Sequence, residues 1–324
     1  MTRTRSLAAS LLSLSAAAML ALVGAGTANA APPAPGVQPA PALASVKVDS
    51  TGAAEYWTPE RMLAAIPGDT LAGSAKERPA TAPDAVTKGK NTKVKPHKAS
   101  KVNSSSQKFA QTADAVDHIG KVFFTMGGFN YVCSGNAVTS ANESTVATAG
   151  HCVNEGPGAF ATNFIFVPAY DNGNEPYGRW TAKSLHTTPQ WKTTGDIAFD
   201  TGFAVMNPNA DGDTLTAVVG SSGVEFGADR GMSYTSYGYP AAKPYDGEQL
   251  WSCQGNASND TRHPEFNTQG IPCTMTGGSS GGPWLLNNDT QNSINSYGYN
   301  DGNVMYGPYW GADIEGTYKL AETA

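Results

Sequence analysis

The sequence is short of several things, and each shortage excludes a class of reading. Cysteine is scarce, four in 324 residues, and no two stand at the two-to-four-residue spacing of a structural zinc site. After the first thirty residues no run is apolar enough to span a membrane. Aromatics are almost missing from the first 108 positions, which hold only Tyr56 and Trp57, so this region can bury little and reads as largely flexible. Basic residues are scarce in the rest: residues 109–324 hold 8 Lys+Arg against 21 Asp+Glu, which argues against nucleic acid as a partner. That body also lacks helix-period windows, apart from its last dozen residues, so helices that could cover a parallel sheet are missing.

What is present divides the chain into three. Arg3 and Arg5, the apolar run from Leu7 to Val23 and the closing Ala28-Asn29-Ala30 read as a secretory signal peptide over residues 1–30. The rival reading, a membrane anchor, suffers from a run diluted by Ser and Ala and from its small-residue end. Residues 31–108 carry ten of the 21 prolines, and seven lysines with no acid stand between Lys88 and Lys108. Taken alone that run is a solvated linker or a nucleic-acid tail, but beside an acidic body in an exported chain it reads as a removable prosegment that associates with the body in cis. Its one helix signal is Thr58-Pro59-Glu60, an N-cap with proline at the first helical position, running to Ile66 before Pro67-Gly68.

Residues 109–324 hold 28 of the 30 Phe, Trp and Tyr. They lie in short runs separated by Gly, Asn, Asp and Pro, among them Lys121 to Thr125, Phe164 to Val167, Phe203 to Met206, Leu215 to Val219 and Asn292 to Tyr297, so the body reads as all-β. All four cysteines are here, and an even count in an exported protein implies disulfides. Of three possible connectivities, Cys133 with Cys152 and Cys253 with Cys273 are favoured, because each pair brackets one candidate active-site segment.

Those segments are Thr148-Ala149-Gly150-His151-Cys152 and Gly277-Gly278-Ser279-Ser280-Gly281-Gly282-Pro283. An isolated His is usually structural, and a Gly-Ser-rich stretch is usually a loop. Together, in this order and with a cysteine beside the His, they resemble the chymotrypsin-like serine peptidases over the body from about residue 110 to 320. The resemblance implies two antiparallel six-stranded barrels with the active site between them, a short C-terminal helix being possible. It also implies protein or peptide substrates, no metal or organic cofactor, and a secreted, monomeric enzyme without membrane contact once the signal peptide is gone. Ser280 is a weak nucleophile until an imidazole takes its proton, the role that falls to His151. The glycines let the amides of Gly278 and Ser280 point at one developing oxyanion, the family's oxyanion hole. Gly278 to Gly282 also fits the Gly-x-Ser-x-Gly elbow of lipases and esterases, but there the catalytic His follows the Ser, and all five histidines here precede Ser280.

Two acids compete for the third role in Gly195-Asp196-Ile197-Ala198-Phe199-Asp200. The family's Asp opens a buried strand, and the uninterrupted run Phe203 to Met206 follows Asp200 more closely than Asp196. The stretch from Asp200 to Asn209 is also similar to the corresponding strand of bacterial glutamyl endopeptidases, so Asp200 is assigned and Asp196 is read as a turn residue. Ser296-Tyr297-Gly298 resembles the strand that lines the substrate channel, with Ser296 and Gly298 as substrate-binding positions. Thr274, Met275 and Thr276, just before the nucleophile, should reach the primary pocket. None is charged, and no His lies beyond His263 to serve a glutamate-selective pocket, so a neutral, apolar P1 preference is expected. A glutamate-specific endopeptidase of the same fold and a non-catalytic binding protein on a degenerate fold are the alternatives. Trypsin-like zymogens carry an Asp immediately before the nucleophile; Ser279 stands there, so that activation switch is missing.

Overall fold

The computed structural model describes residues 44–76, 86–99, 113, 115–299 and 302–324; the expected signal peptide and the expected start of the mature body near Phe109 lie outside them. The stretch before the body contributes strand β1 (Ser45–Lys47), helices α1 (Ala53–Tyr56) and α2 (Pro59–Leu63), strand β2 (Ile66–Pro67), helix α3 (Asp69–Lys76) and strand β3 (Thr92–Val94). The expectation of a largely flexible prosegment is therefore narrowed, since these residues borrow partners from the body. Helix α2 starts as its sequence predicts, the Thr58 hydroxyl accepting from the Arg61 amide at 3.3 Å with Pro59 as first residue. It stops at Leu63 instead of Ile66, because a residue before proline is pushed out of helical geometry and Ile66 is drawn into a strand pairing.

The first half of the body comprises β4 (Ile119–Met126), β5 (Phe129–Val138), β6 (Thr145–Thr148), the single-turn helix α4 (Gly150–Val153), β7 (Thr162–Pro168), β8 (Trp180–Thr187), helix α5 (Pro189–Thr194), a 3-10 turn Ile197–Phe199 and β9 (Gly202–Met206). Its strands pair antiparallel in the order β8-β7-β4-β5-β6-β9, and β9 pairs back onto β8, closing a six-stranded barrel. Strand periodicity explains why β4 and β7 are buried along nearly their whole length. Val122, Phe124, Met126, Phe164 and Phe166 point into the barrel, while Phe123, Ile165 and Val167 point outward into a second apolar cluster. That outer cluster is covered from two sides, by Trp57 and Met62 of the stretch before the body and by Tyr239, Leu250 and Leu285 of the second half. Trp57 is wholly buried and donates its indole N–H to the Asn163 carbonyl at 2.7 Å.

The second half follows with helix α6 (Leu215–Val219), β10 (Gly223–Phe226), β11 (Ser233–Gly238), β12 (Trp251–Asn256), β13 (Ser258–Asn259), β14 (Gln269–Pro272), β15 (Pro283–Leu286), β16 (Thr290–Ile294), β17 (Tyr297–Gly298), β18 (Val304–Gly307) and helix α7 (Ala312–Ala321). Leu215 to Val219, expected as a strand, is a helix. Its Leu215 amide donates to the Ser144 hydroxyl at 3.3 Å, and Leu215 and Val219, four apart, both enter the barrel core, a tertiary gain that outweighs the β preference of Val218 and Val219. The strands form a six-stranded sheet, β12-β11-β15-β16-β10-β3, and a four-stranded sheet, β13-β14-β18-β17. Two ties join them. The chain itself passes from β16 to β17 through Asn295 and Ser296, and Cys253 on β12 is bonded to Cys273 just past β14. Helix α7 returns to the first half, with Ile314, Tyr318 and Ala321 at helical spacing against its core.

Candidate active site

His151 sits on α4, the turn that leaves β6, and is fully buried. Cys152, the next residue, is bonded to Cys133 on β5 and so fixes that turn to the barrel wall. Asp200 lies between the 3-10 turn and β9, also fully buried. Its Oδ2 is 2.8 Å from His151 Nδ1, and its Oδ1 accepts from the His151 amide at 2.8 Å. The Ser296 hydroxyl donates to the same Oδ2 at 2.6 Å. An ionised carboxylate in this place holds the imidazole proton on Nδ1 and leaves Nε2 as the base. Nε2 is buried and makes no hydrogen bond to any described group. Asp196 is not part of this arrangement: it caps the 3-10 turn, accepting from the Ala198 amide at 3.0 Å.

Ser280 comes from the other half, on the turn between β14 and β15. Backbone bonds anchor the turn on both sides: the Ser134 amide of β5 donates to the Ser280 carbonyl at 2.7 Å, and the Ser134 hydroxyl donates to the Gly278 carbonyl at 3.0 Å. Gly278 has φ of 96°, a region open to glycine at little cost. Ser279, in the place of the family's zymogen acid, donates its hydroxyl to the Thr276 carbonyl at 2.8 Å and so acts inside the loop.

Sequence reasoning missed Asn295. It is fully buried and meets all its bonding capacity. Its Nδ2 donates to the carbonyls of Tyr237 (2.9 Å) and Ser279 (3.1 Å), and its Oδ1 accepts from the Ser236 hydroxyl (2.7 Å) and the Trp284 indole (2.8 Å). Its carbonyl accepts from the Gly281 amide and its amide donates to the Gly282 carbonyl, the two residues just after Ser280. One Asn among several in a largely polar stretch gives no signal of this, since its partners lie in other segments.

Beside Ser280 is a cavity of about 260 Å³ lined by Thr274, Met275, Thr276, Ser296 and Gly298, the positions expected from the sequence, together with Tyr297, Tyr299, Val304 and Met305. Among the described lining residues the one charge is the carboxylate of Asp69, from the stretch before the body. Ser296 divides its roles, with its hydroxyl turned to Asp200. The Tyr297 and Tyr299 hydroxyls both donate to Asp260 Oδ2, at 2.8 and 2.5 Å. Burial raises the Asp260 carboxyl, but hydrogen bonds from Tyr299, Tyr297 and the amides of Arg262 and His263 outweigh it and hold the group below its ordinary value, a fixed anion bracing the pocket wall.

No family model matches the chain. Among solved structures it is similar to protease Anisep from Arthrobacter nicotinovorans, with 62% identity and a TM-score of 0.64 over 66% of this chain and 99% of that one. It is also similar to the thermostable serine protease AL20 from an extremophilic microorganism, with 50% identity and a TM-score of 0.62 over 64% of this chain and 98% of that one. A Glu endopeptidase shares the fold at 18% identity and a TM-score of 0.51. A curated relative, the extracellular metalloprotease of Bacillus subtilis, is 27% identical over 122 residues, and the match spans 37% of that protein. The word metalloprotease raises the question of a metal here. The one described cluster of potential ligands is Cys133, His151 and Cys152, and its two sulfurs are bonded to each other at 2.05 Å. A disulfide supplies no thiolate, so this set offers a metal a single imidazole and does not fit a metal centre.

Proposed function

Because the chain belongs to the chymotrypsin-like serine proteases, we propose that it is an exported serine endopeptidase working through Ser280, His151 and Asp200. Ser280 Oγ attacks the scissile carbonyl while His151 Nε2 takes its proton, and the same nitrogen later gives that proton to the leaving amine. Asp200 keeps the imidazole in the required tautomer and stabilises the imidazolium. The amides of Gly278 and Ser280 receive the oxyanion, where losing one donor in comparable enzymes costs about 3 to 4 kcal/mol. Water then attacks the acyl group by the same steps in reverse. The observation that carries this reading is the buried His151–Asp200 pair, set on one half of the body and facing a nucleophile loop that the other half locks in place.

The pocket supports a neutral, apolar first-subsite preference. Met275, Val304 and Met305 offer it no charge, and a substrate carboxylate entering a site without a cation among its described lining residues would lose hydration uncompensated. This argues against glutamate selectivity. Export rests on the sequence of residues 1–30 and on the disulfides; no helix among the described residues is long and apolar enough to cross a membrane. Removal of residues 31–108 is supported by the solved relatives, which match about two thirds of this chain and nearly all of their own, a share equal to the body alone. A fluorophosphonate probe followed by peptide mapping tests the mechanism. Label should appear on Ser280, and Ser280→Ala should abolish both labelling and hydrolysis; label elsewhere, or activity kept in the variant, would refute it. A peptide-library profile tests the pocket, and dominant cleavage after Glu would overturn the neutral assignment.

A further inference from the structure

The cleft in front of Ser280 is occupied by the chain itself. Ile66 and Pro67 of β2 run parallel to Tyr131 and Val132 of β5, and the Gly68 amide donates to the Val132 carbonyl at 2.9 Å. The approach is so close that a methyl group on Gly68 would fall 2.5 Å from Cys133 Sγ, the sulfur bonded to the neighbour of His151. Asp69 then opens α3 and lays its carboxylate on the nucleophile loop. A Cβ placed on Gly277 would lie 2.0 Å from Asp69 Oδ1, and that oxygen is shut off from solvent. Farther along α3, Ala72 is buried against Trp191 beside the catalytic histidine and against Tyr297 of the pocket wall. Three successive parts of one short segment thus touch the wall behind His151, the loop of Ser280 and the far side of the cleft.

We propose that Ile66–Ala72 is a resident occupant of the substrate cleft, with the Asp69 carboxylate as its plug, and that Ser280 becomes usable when this segment leaves. The proposal rests on Ser280 being the nucleophile. Peptides bound for cleavage add as extended strands. Residues 69–76 are helical, so this part of the occupant blocks the approach without offering an extended peptide bond. The unpartnered His151 Nε2 fits this closed arrangement. Prosegment and body are therefore matched at the reaction site itself, beyond any general charge attraction.

The test uses the full-length chain isolated before processing, with the processed enzyme as the open reference. If about 99% of the unprocessed chain is closed, its fluorophosphonate labelling should be slower by about a hundredfold. Asp69→Ala should speed that labelling on the order of tenfold, the scale of losing one buried charged contact, with Asp69→Asn in between and Asp49→Ala, at an exposed turn remote from the cleft, without effect. Equal labelling of unprocessed and processed chains would overturn the plug and leave the serine mechanism standing. Should neither form label, the serine mechanism fails, and amide exchange decides on the plug separately. The amides of residues 277–281 should exchange faster in unprocessed Asp69→Ala than in the unprocessed parent, and identical exchange would overturn the proposal.

Discussion

The two halves of the body are closed by different means. In the first, six strands hydrogen-bond around a complete ring and leave no edge within it. In the second, two sheets share no ladder and are held by a disulfide, a satisfied buried Asn and packing around Trp284 and Ile271. Each half supplies what its construction suits. The ring holds His151 and Asp200 in a buried hydrogen-bonded pair, while the jointed half leaves space for a pocket between the turn before β15 and strands β17 and β18. The prosegment respects the division too: residues 44–76 dock chiefly on the ring through β1, β2 and buried Trp57, and residues 86–99 dock on the second half through β3 and surface ion pairs.

The sharpest break of this comparison is in the ring. Asp200→Asn should lower turnover by about 10⁴, as expected when an imidazole is held in the wrong tautomer, while Asp196→Asn, which keeps an oxygen able to cap its turn, should do far less; the two kcat values decide, and a crippled Asp196→Asn would reverse the assignment. Next comes docking. Trp57→Ala in the full-length chain should cost about 3 to 5 kcal/mol of its stability in denaturant titration. A third test sets the two disulfides side by side. They close loops of nearly equal length, 19 and 20 residues, so chain entropy assigns each about 3 kcal/mol. Replacing both cysteines of one pair by Ser should thus lower stability similarly in either half, but only loss of Cys253–Cys273 should also raise KM, because only that pair anchors the chain next to the pocket-lining Thr274 and Met275.

Smaller still is a pH effect on the ring. Burial pulls the His186 imidazole down to about 4, so the folded chain holds it neutral while the unfolded chain takes up a proton near 6.5. The unfolded state then binds more protons between these values. Stability from this group is complete above pH 6.5 and is lost as pH falls to 4, by up to about 3 kcal/mol. His186→Asn should flatten that slope in melts taken across the window. Smallest of all, Lys88→Ala removes a solvent-exposed ion pair with Asp229 at 2.7 Å and should leave stability nearly unchanged. The same reasoning limits the role of charge in prosegment docking: raising salt should weaken it far less than losing Trp57.

Legibility followed locality. His151 and Ser280 could be read because each sits in a short string whose glycines have a job in that string, and Asp200 because the apolar strand it precedes is contiguous in sequence. Asn295, Ser296 as a donor to Asp200, and Asp260 under the tyrosines stayed hidden, since their meaning comes from side-chain partners 11 to 96 residues away. The helix at Leu215 was misread because its β-branched residues answer to a core that sequence alone does not display. The order in the prosegment was hidden for a related reason: a segment with two aromatics cannot build a core, but Trp57 can finish one built by others.

That borrowed tryptophan leaves a mark when it goes. A Trp side chain covers about 150 to 250 Å², and its departure bares an apolar scar on the outer face of the ring, over Phe123 and Ile165. Met62 and Ala53 lie in the same cluster, so under the proposed removal of residues 31–108 the bared face is larger than the area of Trp57 alone.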